Sequence, residues 1–352
     1  MSKRIARLRR LMEKEGLPAM VVSSLANVRY LCGYSGSNGM MLITGKDAWF
    51  FTDFRYKEQM NEQVRGCRKE MRRRDLYAEF PTEHVKGMRK LGVESSHITL
   101  GRFNALKRQL PKMRLVPVRD FVVGLRRAKE PAEAELVRGA QAVTDRAFRR
   151  VLPLVRPGVS ERELAAKIEY WFKQEGESAF AAIVASGPNA ALPHAEPSDR
   201  RLRQGDVVTF DIGCRRDGYC SDMTRTVFLG RASDDLRQVY QIVFEAQRRA
   251  LSGIRPGAKS ADVDALARDY IKSQGYGECF GHGLGHGVGL EVHEQPGLSY
   301  ASKDVLAPGD IVTVEPGVYL SGLGGVRIED MVLVTRNGYE NLTRSPKRLT
   351  EL

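Results

Sequence analysis

The chain has 352 residues, 42% of them hydrophobic and 28% charged. That composition supports one large packed domain or two smaller ones and excludes wholesale disorder. No stretch approaches the roughly 20 apolar residues of a membrane helix, so an integral membrane protein is excluded and no membrane partner is expected. The formal net charge is +13, and it is unevenly placed. Residues 1–129 hold 28 Lys and Arg against 12 Asp and Glu, whereas residues 130–352 hold 28 against 31.

The first third alternates element types. Residues 3–16 carry helical spacing at Ile5, Leu8, Leu11 and Met12 and stop at Gly16. This opening is basic and amphipathic but lacks the apolar stretch of a secretory signal, and Glu13 and Glu15 argue against an organellar transit peptide. Residues 19–24 (AMVVSS) read as a strand, and MMLIT and AWFFTD read as two more around the turn Gly45-Lys46-Asp47. Helical patterns then alternate with short apolar runs as far as Val122, which describes a small α/β domain. Gly39 to Lys46 has the wrong spacing for a phosphate loop, with Asp47 where a hydroxyl residue is required. An excess of +16 in residues 1–129 would suit a nucleic-acid surface. Its densest cluster, residues 65–74, has no interleaved aromatics and matches no nucleic-acid module. The charge is therefore read as a solvated face, with no nucleic-acid partner. Lys129-Glu130-Pro131 opens a long helix, because Pro suits the first helical turn and an acid favours its N-terminus. The domains are accordingly placed at 1–128 and 129–352.

The remaining two thirds contain an internal repeat. Arg156-Pro157-Gly158 recurs as Arg255-Pro256-Gly257, and GDVVTFDIG (205–213) recurs as GDIVTVEPG (309–317). Each half reads helix, Arg-Pro-Gly turn, helix, then strands. The simplest arrangement is two halves related by a pseudo-twofold, with their strands joined in one sheet. Asp211 and Glu315 occupy matching strand ends. Asp222 follows Asp211 across a turn at Asp217-Gly218, and a hairpin there would set the two carboxylates side by side. Glu329 opens the apolar run 331–334.

Four acids at the edges of apolar strands repel one another unless a positive charge is near. Arginines such as Arg225 and Arg327 could supply it, but four symmetrically placed acids are better balanced by two divalent cations. GHGLGHGVGLEVHE (281–294) holds His282, His286 and His293, three of the six histidines. In one Gly-rich strand they read as a ligand plus acid–base groups; the segment matches neither GxGxxG nor HExxH. His194, in Leu192-Pro193-His194-Ala195, is a weak signal by itself. The five cysteines are few, odd in number and not in CxxC spacing, which fits a reduced cytoplasmic protein. Cys214 and Cys220 flank the hairpin turn and are read as packing residues rather than a disulfide.

The set Asp211, Asp222, His286, Glu315 and Glu329 resembles the dinuclear ligand pattern of the pita-bread metallopeptidases, which include aminopeptidase P, prolidase and methionine aminopeptidase. Asn27-Val28-Arg29-Tyr30-Leu31, Gly33-Tyr34-Ser35-Gly36-Ser37 and Thr52-Asp53-Phe54-Arg55-Tyr56 resemble the N-terminal domain of bacterial Xaa-Pro aminopeptidases. The resemblance implies an α/β N-terminal domain followed by an α+β pita-bread catalytic domain. It implies that Asp211 chelates one metal, that Asp222 and Glu329 bridge both, and that His286 and Glu315 complete the second site. Four carboxylates and an imidazole form a mainly hard donor set, suited to manganese and tolerant of cobalt or zinc. Such ions would activate a water for attack on a peptide carbonyl. By the same resemblance Glu315 shuttles the proton, while His194 and His293 hold the substrate carbonyl, the oxyanion or the leaving nitrogen. Arg327 fixes a ligand carboxylate, with Tyr319 a second candidate for that role. A homodimer formed through the N-terminal domain is also implied.

His282 and the extra N-terminal domain distinguish the chain from methionine aminopeptidases and place it in the proline-specific branch. There His282 would shape the pocket for the proline ring or its carbonyl, or else brace the Gly-rich strand. Within that branch the N-terminal motifs favour an aminopeptidase acting on peptides that begin Xaa-Pro, with an Xaa-Pro dipeptidase (prolidase) as the alternative. Metal-free pita-bread binding modules and creatinase, which lacks the metal set, are disfavoured by the intact ligands.

Overall fold

The computed structural model describes residues 3–73 and 75–352; Arg74 of the basic cluster lies outside the described residues. The chain separates into two compact units, Met1–Arg126 and Arg127–Leu352. The first unit is a sheet with helices. Its strands are β1 (Ala19–Val22), β2 (Met40–Thr44), β3 (Ala48–Thr52), β4 (Arg68–Met71), β5 (Lys90–Glu94) and β6 (Arg114–Val118), in the order β4-β3-β2-β1-β5-β6. Helices α1 (Lys3–Lys14), α2 (Leu25–Cys32), α3 (Lys57–Gln63), α4 (Leu100–Gln109) and α5 (Phe121–Arg127) alternate with them. Strands β1, β2 and β3 are buried at every position, which explains their unbroken apolar sequences.

Two motif residues of this unit are consumed by its own packing. Glu94, at the end of β5, accepts the Ser23 and Ser24 N–H groups at 2.6 and 2.8 Å and Asn27 Nδ2 at 2.6 Å. Arg126 Nη1 donates to Asn27 Oδ1 at 2.7 Å. Asp53 accepts Asn38 Nδ2 at 2.5 Å and both Nε and Nη2 of Arg55 at 2.8 Å. These bonds, above all the Arg55 contacts, hold the Asp53 carboxyl well below the usual carboxylate range.

The second unit begins with α6 (Pro131–Val151), whose start is capped reciprocally by Glu130 and Glu133. It continues through α7 (Glu161–Glu175), β7 (Glu177–Ser178), β8 (Ile183–Ser186), β9 (Val207–Ile212), β10 (Cys214–Arg216), β11 (Tyr219–Cys220), β12 (Met223–Phe228), α8 (Asp234–Gly253) and α9 (Ser260–Ser273). The last strands are β13 (Gly285–Gly287), β14 (Glu294–Leu298), β15 (Ile311–Val314), β16 (Gly317–Leu320), β17 (Gly324–Arg327), β18 (Asp330–Thr335) and β19 (Gly338–Asn341). One sheet has the order β12-β9-β8 and another β14-β13-β15-β18-β19, so the succession β12-β9-β8 is echoed by β18-β15-β13. Cys214 and Cys220 are buried free thiols.

The repeat is physical as well as textual. Gly158 and Gly257 end the Arg-Pro-Gly turns at φ +89° and +82°, and their N–H groups donate to Leu202 and Leu306 at 2.9 and 2.8 Å. Gly205 and Gly309, at φ +87° and +94°, lead into β9 and β15. The following acids close the same turn: Asp206 accepts the Arg203 N–H at 2.7 Å and Asp310 accepts the Ala307 N–H at 2.8 Å.

The two halves form separate sheets rather than the single joined sheet expected from the repeat. The Gly-rich hairpin β16–β17 intervenes. β17 packs so closely on the 187–191 turn that a methyl group on Gly325 would overlap the Ala190 carbonyl. The join between halves is local: the Glu329 N–H donates to Thr224 O at 3.1 Å.

Behind that join lies Arg225, 1% exposed. Its Nη2 donates to Asp330 Oδ1 at 2.7 Å and Ser345 O at 2.8 Å, its Nη1 to Glu329 O at 2.5 Å, and its Nε to Pro346 O at 3.1 Å. Lys347 reaches the other Asp330 oxygen. Burial alone would raise the Asp330 proton affinity, but Arg225 and Lys347 hold it below the ordinary value. Arg225→Met would leave a buried carboxylate short of a partner and three carbonyls without donors. It is expected to lower stability by about 3–5 kcal/mol, measured as a shift of the urea unfolding midpoint.

Candidate metal centre

Register brings the first two acids together. Asp211 in β9 lies opposite Thr224 in β12, and Asp222 immediately precedes β12, where Ile212 pairs with Met223. The turn at Asp217 and Gly218, with φ +51° and +85°, joins β10 to β11 in a separate small sheet. It therefore does not itself align the two carboxylates. Ser221 anchors the approach to Asp222: its N–H donates to Cys214 O at 2.8 Å, and its hydroxyl meets Thr144 Oγ1 at 2.8 Å. In the second half Glu315 follows β15 and donates its N–H to Leu284 O at 2.8 Å, and Glu329 precedes β18.

The segment 281–294 is not one strand. His286 lies at the centre of β13, whereas His282 and His293 sit in the irregular chain on either side. Close backbone approach is the reason for the glycines and for the break. A methyl on Gly285 would overlap the Thr313 carbonyl, and β13 pairs with β14 only through a register shift after His286. The chain thereby folds back, setting the His293 ring 4.2 Å from that of His286. His286 N–H donates to Thr313 Oγ1 at 3.0 Å, and Nδ1 faces Gly287 O at 3.1 Å. A carbonyl partner selects the Nδ1–H tautomer and leaves the Nε2 lone pair toward Asp222 Oδ2 (3.6 Å) and Glu315 Oε1 (3.4 Å).

Arg327, the last residue of β17, orders the acids. Its Nη2 donates to Asp211 Oδ2 at 2.8 Å, its Nη1 to the Tyr319 hydroxyl at 2.8 Å, and its Nε to Thr224 Oγ1 at 3.0 Å. Thr224 in turn donates to Glu329 Oε2 at 2.8 Å, and Thr313 to Glu315 Oε1 at 3.0 Å. Sequence reasoning missed both threonines. The only signal for Thr313 is its place in the repeated GDxVT motif; Thr224 had none before the strands were paired. His282 lies with Nδ1 on Gly283 O at 2.8 Å and Nε2 on the Tyr319 hydroxyl at 2.9 Å. Burial lowers its pKa to about 4, so the neutral ring accepts from Tyr319.

The electrostatics call for a cation. Burial first, then the neighbouring carboxylates, push Asp222 and Glu329 well above the ordinary range. Burial raises Glu315 to about 7 despite the nearby Arg327. Burial lowers His286 and His293, favouring neutral imidazoles that are ready to bind or donate. Asp222, His286 and Glu329 offer ligand atoms all within 4.8 Å of one another. Asp211 Oδ1 is buried with no hydrogen-bond partner among the described residues. One guanidinium cannot balance four such acids, and the donor set fits hard divalent cations. Asp211, Asp222, His286, Glu315 and Glu329 open onto a cavity of about 510 Å³ whose wall includes Phe180, Pro193, His194, His282 and His293. His194 is exposed there.

Residues 135–336 match metallopeptidase family M24, and residues 4–128 match the creatinase/prolidase N-terminal domain. Among solved structures, an Xaa-Pro dipeptidase from Bacillus anthracis is 42% identical, with a TM-score of 0.95 over 99% of both chains. A prolidase from Pyrococcus horikoshii OT3 is 36% identical with a TM-score of 0.95, covering 99% of this chain and 100% of that one. An X-Pro aminopeptidase from Thermotoga maritima MSB8 is 34% identical with a TM-score of 0.90, covering 98% of this chain and 100% of that one. A buried acid–histidine cluster on two repeated αβ halves thus defines a pita-bread metallopeptidase. The chain belongs to metallopeptidase family M24, with a creatinase/prolidase domain preceding the catalytic unit.

Acids with raised proton affinity in the fold bind more protons folded than unfolded. Without metal their contribution to stability is therefore present at low pH and lost as pH rises through the folded value. For Glu315 that window runs from 4.5 to about 7. The melting temperature of chelated protein is expected to fall across this interval, and Glu315→Gln to flatten part of the fall. Added manganese should stabilise more strongly as pH rises, because carboxylates bind a cation only when ionised. A flat profile shared by wild type and variant would contradict the coupling.

Proposed function

We propose that the protein is an Xaa-Pro dipeptidase that uses two divalent cations, with manganese the best suited to the donors. Asp211, Asp222, His286, Glu315 and Glu329 would hold them. The observation that carries the reading is the convergence of these five side chains at one cavity, in a chain whose relatives named as Xaa-Pro dipeptidase and prolidase match it over almost its entire length. Those relatives reverse the preference drawn from the N-terminal motifs, which favoured an aminopeptidase. The aminopeptidase from Thermotoga maritima keeps that activity as the second reading.

When bound, the cations would polarise the scissile carbonyl and supply a nucleophile at neutral pH. The chain's own residues do the rest. Glu315, which lines the cavity, would take a proton from the attacking water and return it to the leaving nitrogen. His293 and His194 present imidazoles to the developing oxyanion or the leaving group. Arg327, Thr224 and Tyr319 keep Asp211 and Glu329 in place. The nitrogen of an Xaa-Pro bond carries no hydrogen, so recognition rests on the shape of the cavity wall rather than on a donor from the substrate.

With manganese added, Xaa-Pro is expected to be split into free amino acids, Xaa-Pro-Yaa to be cut far more slowly, and Xaa-Ala-Yaa to resist. Chromatography of the products decides it. Efficient cleavage of Xaa-Pro-Yaa would return the assignment to an aminopeptidase, and equal cleavage of Xaa-Ala-Yaa would remove the proline requirement. Chelation should abolish activity. Glu329→Ala should reduce bound metal, measured by elemental analysis after dialysis, and two tightly held ions in that variant would overturn the shared-ligand role of Glu329.

A further inference from the structure

We propose that Lys129 and Glu294 form a buried ionic latch that positions His293 at the metal centre. The proposal rests on the reading of His293 as a group that touches the reacting atoms. Glu294 directly follows His293 and begins β14. Its carboxylate takes Lys129 Nζ at 3.1 Å and the Glu291 N–H at 3.0 Å. The side chains are only 1% and 2% exposed, so neither charge is relieved by solvent.

The loop 288–293 wraps around this carboxylate. A methyl group on Gly289 would lie 2.6 Å from Glu294 Oε2, so the backbone passes directly against the acid. The same glycine accepts the Cys220 N–H at 2.7 Å, which ties the loop to the strand before Asp222. Lys129 is itself fixed, because its N–H donates to Gly309 O at 2.8 Å, at the turn that leads into β15 and on to Glu315. The latch therefore references the histidine-bearing loop to the two segments that deliver Glu315 and Asp222. His293 emerges from the clamped loop with its ring 4.2 Å from that of His286.

A fully buried ion pair is a poor choice if stability is the only requirement, because apolar residues of similar volume often stabilise as well or better. What the charges add here is one geometry: a carboxylate with a lysine on one side and a backbone N–H on the other fixes the loop in a single position. A catalytic group displaced by about 1 Å loses activity on the order of 10²-fold.

The test is a mutant cycle on full-length, manganese-loaded enzyme with an Xaa-Pro dipeptide. Lys129→Met is expected to lower kcat by about 10- to 100-fold with little change in KM or metal content, in line with that displacement. Glu294→Gln, which keeps the Glu291 contact, should act in the same direction but more weakly. In a His293→Ala background the same substitutions should change kcat less than about twofold, because groups acting through one residue are not additive. The double variant Lys129→Met/Glu294→Gln removes both buried charges. Its melting temperature should recover relative to Lys129→Met while kcat stays low. If kcat recovers with melting temperature, or if the full loss persists without His293, the pair is structural only and the latch is refuted. If His293→Ala itself keeps wild-type kcat, the reading of His293 fails and the latch with it. Should Lys129→Met not fold, Glu294→Gln carries the cycle alone.

Discussion

Like charges forced together in a largely buried site are the constraint around which the catalytic unit is arranged. The Asp222 and Glu329 carboxylates come within 4.8 Å of each other, and two unit charges that close repel by about 3–4 kcal/mol or more at an effective dielectric of about 20. Asp211 and Glu315 add their own repulsion on that pair. Fully ionised and without a counter-ion, their mutual repulsion would rival the 5–15 kcal/mol by which a typical domain is stable. The molecule answers with Arg327 on Asp211, with proton affinities raised at Asp222, Glu315 and Glu329, and with a donor set that suits divalent cations. An affinity of these residues for divalent cations and a loss of stability without them would have one origin.

The duplicated architecture makes that concentration of charge attainable. One half delivers Asp211 and Asp222 at β9 and β12, and the other delivers Glu315 and Glu329 at β15 and β18. Each half builds the strand entry with the same glycine and aspartate turn, stabilised in one case by Arg200 on Asp206 and in the other by Arg127 on Asp310. The halves then diverge where function requires it. The second half alone carries the β16–β17 hairpin with Tyr319 and Arg327, and that hairpin supplies the counter-charge for an acid of the first.

In the N-terminal unit the motif residues serve the packing of that unit itself. Asn27 and Asp53 stand in the segments that favoured an aminopeptidase. Their side chains are engaged by Glu94, Arg126, Asn38 and Arg55 within the unit. Such residues report how that domain is stapled together. The choice between dipeptidase and aminopeptidase rests on the relatives instead.

The sequence alone determined the repeat, the helix start at Lys129-Glu130-Pro131, and the four acids and one histidine that the fold gathers at one cavity. These were legible because strand periodicity, turn glycines and charged residues at the ends of apolar runs are local properties. Tertiary structure decided the rest. Thr313 is marked only by its place in the repeated GDxVT motif, and Thr224 was invisible because a threonine in a strand has no distinctive spacing; only pairing puts Thr224 between Arg327 and Glu329. The segment 281–294 read as one strand because alternation of Gly and His mimics a two-residue period. Its break into loop, strand and loop follows from close backbone contacts with Thr313 and Gln295, which lie in neighbouring strands. Lys129 and Glu294 are 165 positions apart, and nothing local to either predicts that a buried pair would form. Distances across a fold are set by packing, and packing is the one property a single strand of sequence does not display.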